Sequence, residues 1–406
     1  MTDRVVVIEP MGVGGICHYT YCLCQALAIS GVNTSLITAK NYELAGRPHG
    51  FRLYPILKEW GLPERRPVAV RVAYRPTRLD VLRRRLGSVQ AMLRIVAIVL
   101  RERAPVVHLE WPIGPHDWLY LTALRLLGRR VIYTAHDVLP HEDTPEDPPR
   151  LRRLLRQVDR AILHSHENDA AFHRIFRDDA PPTRVVPHGN YLFFSDNVSL
   201  SCREARAAVG VPLESRVVLF FGGIRPYKGL KDLIGAFGLV RKRVPETWLV
   251  IAGCPFEEFT PYEEAIAAAG IRECTAIHLD YHAVDDVGKF FRAADVVVLP
   301  YRSASQSGVA QLALAFGIPV VGTRVGGLPE VIEDGGTGLL VSPGDENGLA
   351  EAMTRLLTDE RLSHSMSARA AELAATRYSW RHIAEMTRDV YDTVRSHAGA
   401  RVPSLE

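Results

Sequence analysis

Residues 215–237 read "SRVVLFFGGIRPYKGLKDLIGAF", and this stretch decides the fold. It opens with an unbroken apolar run, β-branched and aromatic, that ends in two glycines. A run without alternation is a strand covered on both faces, as in a parallel sheet. A helical pattern follows the glycines, so the stretch is one strand–loop–helix unit. The same rhythm recurs at "TWLVIAG" (247–253), "TAIHLD" (275–280), "ADVVVLP" (294–300) and "IPVVGT" (318–323). Ahead of a polar break near 190–205 it also runs through "RVVVIEP" (4–10), "TSLITA" (34–39), "PVVHLEW" (105–111), "RRVIYTA" (129–135), "RAILHS" (160–165) and "TRVVPHG" (183–189). Two successive runs of alternating strands and helices predict two α/β, Rossmann-like doubly wound domains. A chain of 406 residues is also longer than one ordinary core supports.

Composition bounds the function classes. The chain is 47% hydrophobic and 23% charged, the balance of a globular protein rather than a disordered one. No apolar run approaches the roughly 20 residues of a membrane span. "AMLRIVAIVLRER" (91–103) comes nearest, and its arginines make it a buried or amphipathic helix. The N-terminus enters a strand pattern without a signal-peptide core, which predicts a cytoplasmic protein. Six cysteines, at 17, 22, 24, 202, 254 and 274, include no C-x-x-C pair and read as core residues. Charge is uneven: residues 1–192 hold 27 Lys+Arg against 19 Asp+Glu, net +8, and the remainder is net −5. The arginines concentrate in "RVAYRPTRLDVLRRR" (71–85) and "PPRLRRLLRQVDR" (148–160). Such a face suits an anionic membrane surface or an anionic acceptor, and equally a set of solvated helix faces. The basic segments lack interleaved aromatics, which argues against nucleic acid.

In sheets of this kind ligands lie at the carboxyl ends of the strands. Three loops there stand out. In "EPMGVGGICHYT", Gly12, Gly14 and Gly15 separate the first strand from a helix, with the wrong spacing for a dinucleotide fingerprint. In "GGIRPYKGLKD", Arg225 and Lys228 stand where a helix begins. The helix macrodipole disfavours cations there unless an anion arrives, so the pair predicts a phosphate site, with Asp232 as a partial counter-charge. From Arg302 to Thr323 the only charged residue is Arg302, and "SASQSG" leads into a nearly apolar helix whose start at Ser307–Gly308 is a second anion site. Two helix starts and two cations together suit a diphosphate. His136 and Asp137 lie near His141 and Glu142, and His164 near His166, but neither group supplies the converging ligand set that a hard metal needs.

"GGIRPYKGLKDLIGAF", "ADVVVLPY", "LALAFGIPVVGTRVGGLPEVIEDGGTGLLVSPGD" and "YSWRHIAEMTRDVYDTV" closely resemble the C-terminal half of family 4 glycosyltransferases. "MGVGGICHYTYCLCQALAISGVNTSLIT", "RRVIYTAHDVLPH", "DRAILHSHENDAAF" and "VVPHGNY" resemble its N-terminal half more loosely. The resemblance implies the GT-B fold, with two Rossmann-like domains facing each other across a cleft. Residues 1–195 would be the acceptor-side domain and 205–375 the nucleotide-sugar domain, with 376–406 forming a helix that returns to the first. It implies a retaining hexosyl transfer from a nucleotide-diphosphate sugar, with no metal or other cofactor. Arg225 and Lys228 would hold the diphosphate, and Ser307, Gly308 and Val309 would bind it through backbone amides. Gly14 and Gly15 would line the donor-sugar side, Gly223 would take the place of the usual first basic residue, and His136 would face donor and acceptor. Tyr281 and His282 would lie near the base.

This chain departs from the family at its paired glutamates. The two positions of the E-x7-E motif fall on Ala304 and Leu312, which cannot bind ribose hydroxyls; Gln306 and Gln311 lie close by. Phosphate binding is retained by residue type while ribose and sugar recognition is rewritten. In a front-face transfer the leaving phosphate can accept the proton, so this loss does not by itself abolish the reaction. The basic first domain points to an anionic or lipid-phosphate-linked acceptor in polysaccharide or glycolipid assembly, at the periphery of a membrane. Two rival readings are a non-catalytic partner of another glycosyltransferase, favoured by the missing glutamates, and a nucleotide-sugar epimerase.

Overall fold

The computed structural model describes residues 3–58, 78–138, 148–195 and 199–396. The arginine side chains of 71–85, and His141 and Glu142, lie outside them. The chain divides into two units, Met1–Gly189 with Trp380–Glu406, and Asn190–Ser379.

The first unit is a seven-stranded parallel sheet in the order β3-β2-β1-β4-β5-β6-β7. Its strands are β1 (Arg4–Glu9), β2 (Asn33–Ala39), β3 (Arg52–Leu57), β4 (Val106–Leu109), β5 (Arg130–Thr134), β6 (Arg160–Leu163) and β7 (Thr183–Val185). The sequence reading has no β3, "RLYPIL". It carries Pro55, which cannot donate to a ladder and is tolerated at the sheet edge, where β3 lies. The Trp380–Ser396 helix packs along the Gly14–Ile29 helix of this unit. Arg395 anchors its far end on Asp3 at 2.6 Å, and that bond holds the Asp3 carboxyl below its usual range.

The second unit is a six-stranded parallel sheet in the order β10-β9-β8-β11-β12-β13. The strands are β8 (Arg216–Phe221), β9 (Thr247–Ala252), β10 (Thr275–His278), β11 (Val296–Leu299), β12 (Val320–Thr323) and β13 (Gly338–Val341). β13, four residues at the other edge, is also absent from the sequence reading. Period-two side-chain alternation explains the unbroken apolar runs. Val217 and Leu219 enter one core while Val218 and Phe220 enter the other, and β11 divides Val297 and Leu299 from Val296 and Val298 in the same way. Both faces are thus buried.

The Cys202–Ala208 helix of the second unit starts with a capping box. Ser201 accepts from the Glu204 amide, and Glu204 accepts from the Ser201 amide at 2.8 Å. Ser201→Ala should lower stability by about 1 kcal/mol, read as a shift of the denaturant midpoint at constant slope. Cys202 beside it is exposed, unlike the core cysteines 17, 22, 24 and 274, because it is the first residue of a helix lying on the surface.

Among the described residues no helix is long and apolar enough to cross a membrane. Some of the basic face is neutralised: Arg152 and Arg156 converge on Asp179 at 2.9 and 2.8 Å, and Arg130 approaches Asp159 at 3.3 Å.

Candidate active site

Strand order locates the sites before any side chain is considered. In the second unit the chain runs β8, β9, β10 toward one edge and β11, β12, β13 toward the other, so the sheet's switch point lies between β8 and β11. The β8 loop carries Arg225 and Lys228, and the β11 loop carries Ser307.

The structure brings these two loops together. Lys228 Nζ lies 3.2 Å, and Val309 Cγ2 3.4 Å, from where a β-carbon on Gly222 would stand. Lys228 Nζ is also 5.5 Å from the Tyr301 ring centroid. Tyr301 is buried against Ser307, and burial raises its hydroxyl pKa to about 12. Ser307 caps the Gly308–Ala315 helix by accepting from the Ala310 amide. The ring of Tyr191 packs against Gly308. A cation therefore stands beside a helix start with no acidic residue in its first turn.

The local backbone differs from the reading in one respect. A 3-10 turn, Pro226–Lys228, precedes the α-helix, and Gly229 is the cap before Leu230. Gly229 has φ +66°, and a β-carbon there would meet the Pro300 carbonyl oxygen at 1.9 Å. Both cations thus precede the helix. Asp232 is not their counter-charge, because Arg302 takes it in a two-pronged pair at 3.0 and 2.7 Å. Arg302 also donates its amide to the Tyr227 carbonyl at 2.7 Å. These bonds clamp the β8 and β11 loops to each other.

Arg225 stacks on Phe256 of the β9 loop, with Cζ 3.9 Å from the ring centroid. The same ring covers Gly223. Sequence reasoning missed Phe256, since an isolated aromatic after β9 has no local signature. His282 packs on Phe290 at 4.4 Å and Phe221 at 6.0 Å, and burial lowers its pKa. Its Nε2 and the Gln306 Oε1 are buried without a hydrogen-bond partner, as are both amide atoms of the fully buried Gln311. Tyr281 is 37% exposed. Leu312 is buried, and the Ala304 carbonyl packs against Gly326.

In the first unit the switch point lies between β1 and β4. Gly14 opens the helix there and donates its amide to Glu43 at 2.7 Å; Glu43 also contacts His18 at 2.5 Å. Gly15 is exposed. Glu9, at the end of β1, accepts from the Met11 and Gly12 amides and from Thr38, and burial lifts its carboxyl to about 7.

Beyond the ends of β5, β6 and β7 stand His136, His164 and His188, all buried around Tyr19. Trp380 closes on Tyr19 with centroids 5.2 Å apart. Neither ring nitrogen of His136 is open to a ligand: Nε2 meets Glu110 at 2.9 Å and Nδ1 meets His164 at 3.2 Å. Burial lowers the pKa of His136 to about 4 and of His164 to about 3, so neither ring holds an extra proton taken from solvent at neutral pH. His164 and His166 do not act together, since His166 is the exposed first residue of a helix. Among the described residues no group of three or more His, Cys, Asp or Glu is arranged to hold a metal.

The comparisons with known proteins agree with this architecture. The family described as "Glycosyl transferases group 1" matches residues 202–373, and the "Glycosyl transferase 4-like domain" matches residues 14–190. A D-inositol 3-phosphate glycosyltransferase of Corynebacterium glutamicum is 31% identical over 300 residues, 70% of each chain. The chain belongs to the family 4 glycosyltransferases and is a glycosyltransferase. Sucrose-phosphate synthase from Thermosynechococcus elongatus superposes with a TM-score of 0.72 at 22% identity, covering 97% of this chain and 100% of that one. Anabaena HepE, in complex with UDP-glucose, gives 0.70 at 17% identity, covering 96% and 99%. These structural likenesses show the GT-B fold.

Proposed function

We propose that the protein moves a hexose from a nucleotide-diphosphate sugar to an acceptor, with retention and without a metal. The observation that carries this reading is Lys228 Nζ beside Gly222 and Val309, at the start of an uncharged helix on the switch point. There the ammonium, the Arg225 guanidinium and the backbone amides of Gly308 and Val309 suit the two phosphates. The same groups stabilise charge on the departing diphosphate, which takes the acceptor's proton. The nucleotide-bound state of HepE supports a nucleotide sugar as donor. Tyr281 and His282 would flank the base, and Gly14 and Gly15 the sugar. His136 acts from its buried place by holding that wall rather than by a free nitrogen. The D-inositol 3-phosphate relatives and the basic first unit support an anionic acceptor, in glycolipid or polysaccharide assembly at the cytoplasmic membrane surface.

Calorimetric titration with UDP, GDP, ADP and dTDP tests the reading. One of the four should bind at micromolar Kd and name the donor class. No binding by any of them would favour a non-catalytic partner of another transferase.

A further inference from the structure

The buried histidines of the first unit form a hydrogen-bonded chain whose direction is fixed at one end. The Val186 carbonyl can only accept, so His164 Nδ1, 2.9 Å away, carries a hydrogen. A neutral imidazole holds one N–H, so His164 Nε2 must accept from His136 Nδ1 at 3.2 Å. His136 Nε2 is then a bare nitrogen facing Glu110 Oε2 at 2.9 Å. Two acceptors cannot meet there without a proton between them. Either the carboxyl donates to the ring, or that O–H bond breaks and an N–H forms on the ring, leaving an imidazolium–carboxylate pair. Both states hold the same number of protons.

The surroundings favour this arrangement. Glu110 is fully buried, and burial raises its pKa. Glu9 is a second buried carboxyl, and the Glu110 charge adds to the rise of its pKa. His108 Nε2 is 3.5 Å from Glu110 Oε1 but is engaged by Thr134 at 2.7 Å, with Nδ1 on the Tyr391 hydroxyl at 2.8 Å. His188, 5.4 Å from His164 between centroids, holds its Nδ1 on the Gly189 carbonyl at 2.6 Å. Asp137 opposes the fall of the His136 pKa through space.

We propose that Glu110 is a positioning residue for the transfer, sharing one proton with His136 in a chain that His164 and the Val186 carbonyl orient. The proposal rests on the reading that His136 belongs to the wall of the site. It assigns Glu110 a task that its lone place after β4 does not announce.

Long-range proton–nitrogen spectra of the full chain with ¹⁵N-labelled histidine test it, with His136→Asn assigning the His136 signals. The expected result is a protonated Nδ1 on His136 throughout pH 6–8.5, and a bare Nδ1 on that ring would overturn the proposal. With the donor found by titration, Glu110→Leu should lower kcat by about a hundredfold with little change in the donor KM. Glu110→Gln, whose amide donates into His136 Nε2, should recover most of that loss. Wild-type kcat in Glu110→Leu, or failure of Glu110→Gln to recover kcat with the tautomer intact, would also overturn it. Were Glu110→Leu not to fold, the wild-type tautomer and the Glu110→Gln comparison still decide. A chain that bound no nucleoside diphosphate would remove the transfer reading and with it the purpose of Glu110, and the tautomer would still report the shared proton.

Discussion

Lys228→Ala is expected to weaken nucleoside diphosphate binding by about tenfold to a hundredfold, the size of one lost charge-assisted hydrogen bond. Its kcat should fall by about 10²–10³, because the same ammonium faces the charge that develops on the leaving diphosphate. Stability should stay within about 0.5 kcal/mol of wild type, since the side chain is half-exposed on a short turn. Lys231→Ala is the control. It removes the same charge three residues later, where Nζ lies 5.9 Å from the Tyr262 ring centroid. A site that merely gathers positive charge would respond alike to both. Two equal losses, or none for Lys228→Ala, would place the phosphates elsewhere.

Gly229→Ala should damage both fold and site. An alanine at φ +66° costs about 1 kcal/mol in strain alone. Its β-carbon would also stand 1.9 Å from the Pro300 carbonyl oxygen, so the β8 and β11 loops would have to part. Forcing atoms into a packed contact adds about 1–3 kcal/mol. The parted loops would stretch the Asp232–Arg302 pair and move Lys228 off the helix start, so nucleotide binding should fail together with stability. Gly270 separates the two causes: it has the same φ, +66°, with nothing near its missing side chain. Gly270→Ala should show the strain alone, in thermal melts run side by side. Equal losses for the two variants would mean the close approach to Pro300 is not formed.

Much of the fold was legible because a parallel sheet buried on both faces writes itself as uninterrupted apolar runs. The two strands that escaped are edge strands, where burial is one-sided and short runs suffice; β3 even tolerates Pro55. The β8 and β11 loops were legible because cations at a helix start run against the macrodipole and small residues there leave backbone amides open to an anion. What escaped there was tertiary. The Asp232–Arg302 clamp joins residues 70 apart in sequence, and Phe256 reaches Arg225 from another strand's loop. The histidine chain escaped for the same reason. His136, His164 and His188 are isolated residues one to three positions past a strand end, and only the adjacency of β5, β6 and β7 makes them one group. Glu43 on the Gly14 amide is a further long-range partner, 29 residues away.

The division of the chain at Gly189 and Trp380 makes the second unit a guest inserted into its host. During synthesis the guest is complete before the host is. Tyr19 and His108 emerge early, and the side chains that cover them, Trp380 and Tyr391, emerge only after the whole second unit. A nascent chain therefore carries a nearly finished sheet with an open aromatic seam until the Trp380–Ser396 helix leaves the ribosome. Truncations that spare every site residue but remove that helix should be caught by chaperones and proteases, so the helix acts as the clasp of a unit whose sheet was made before the insertion.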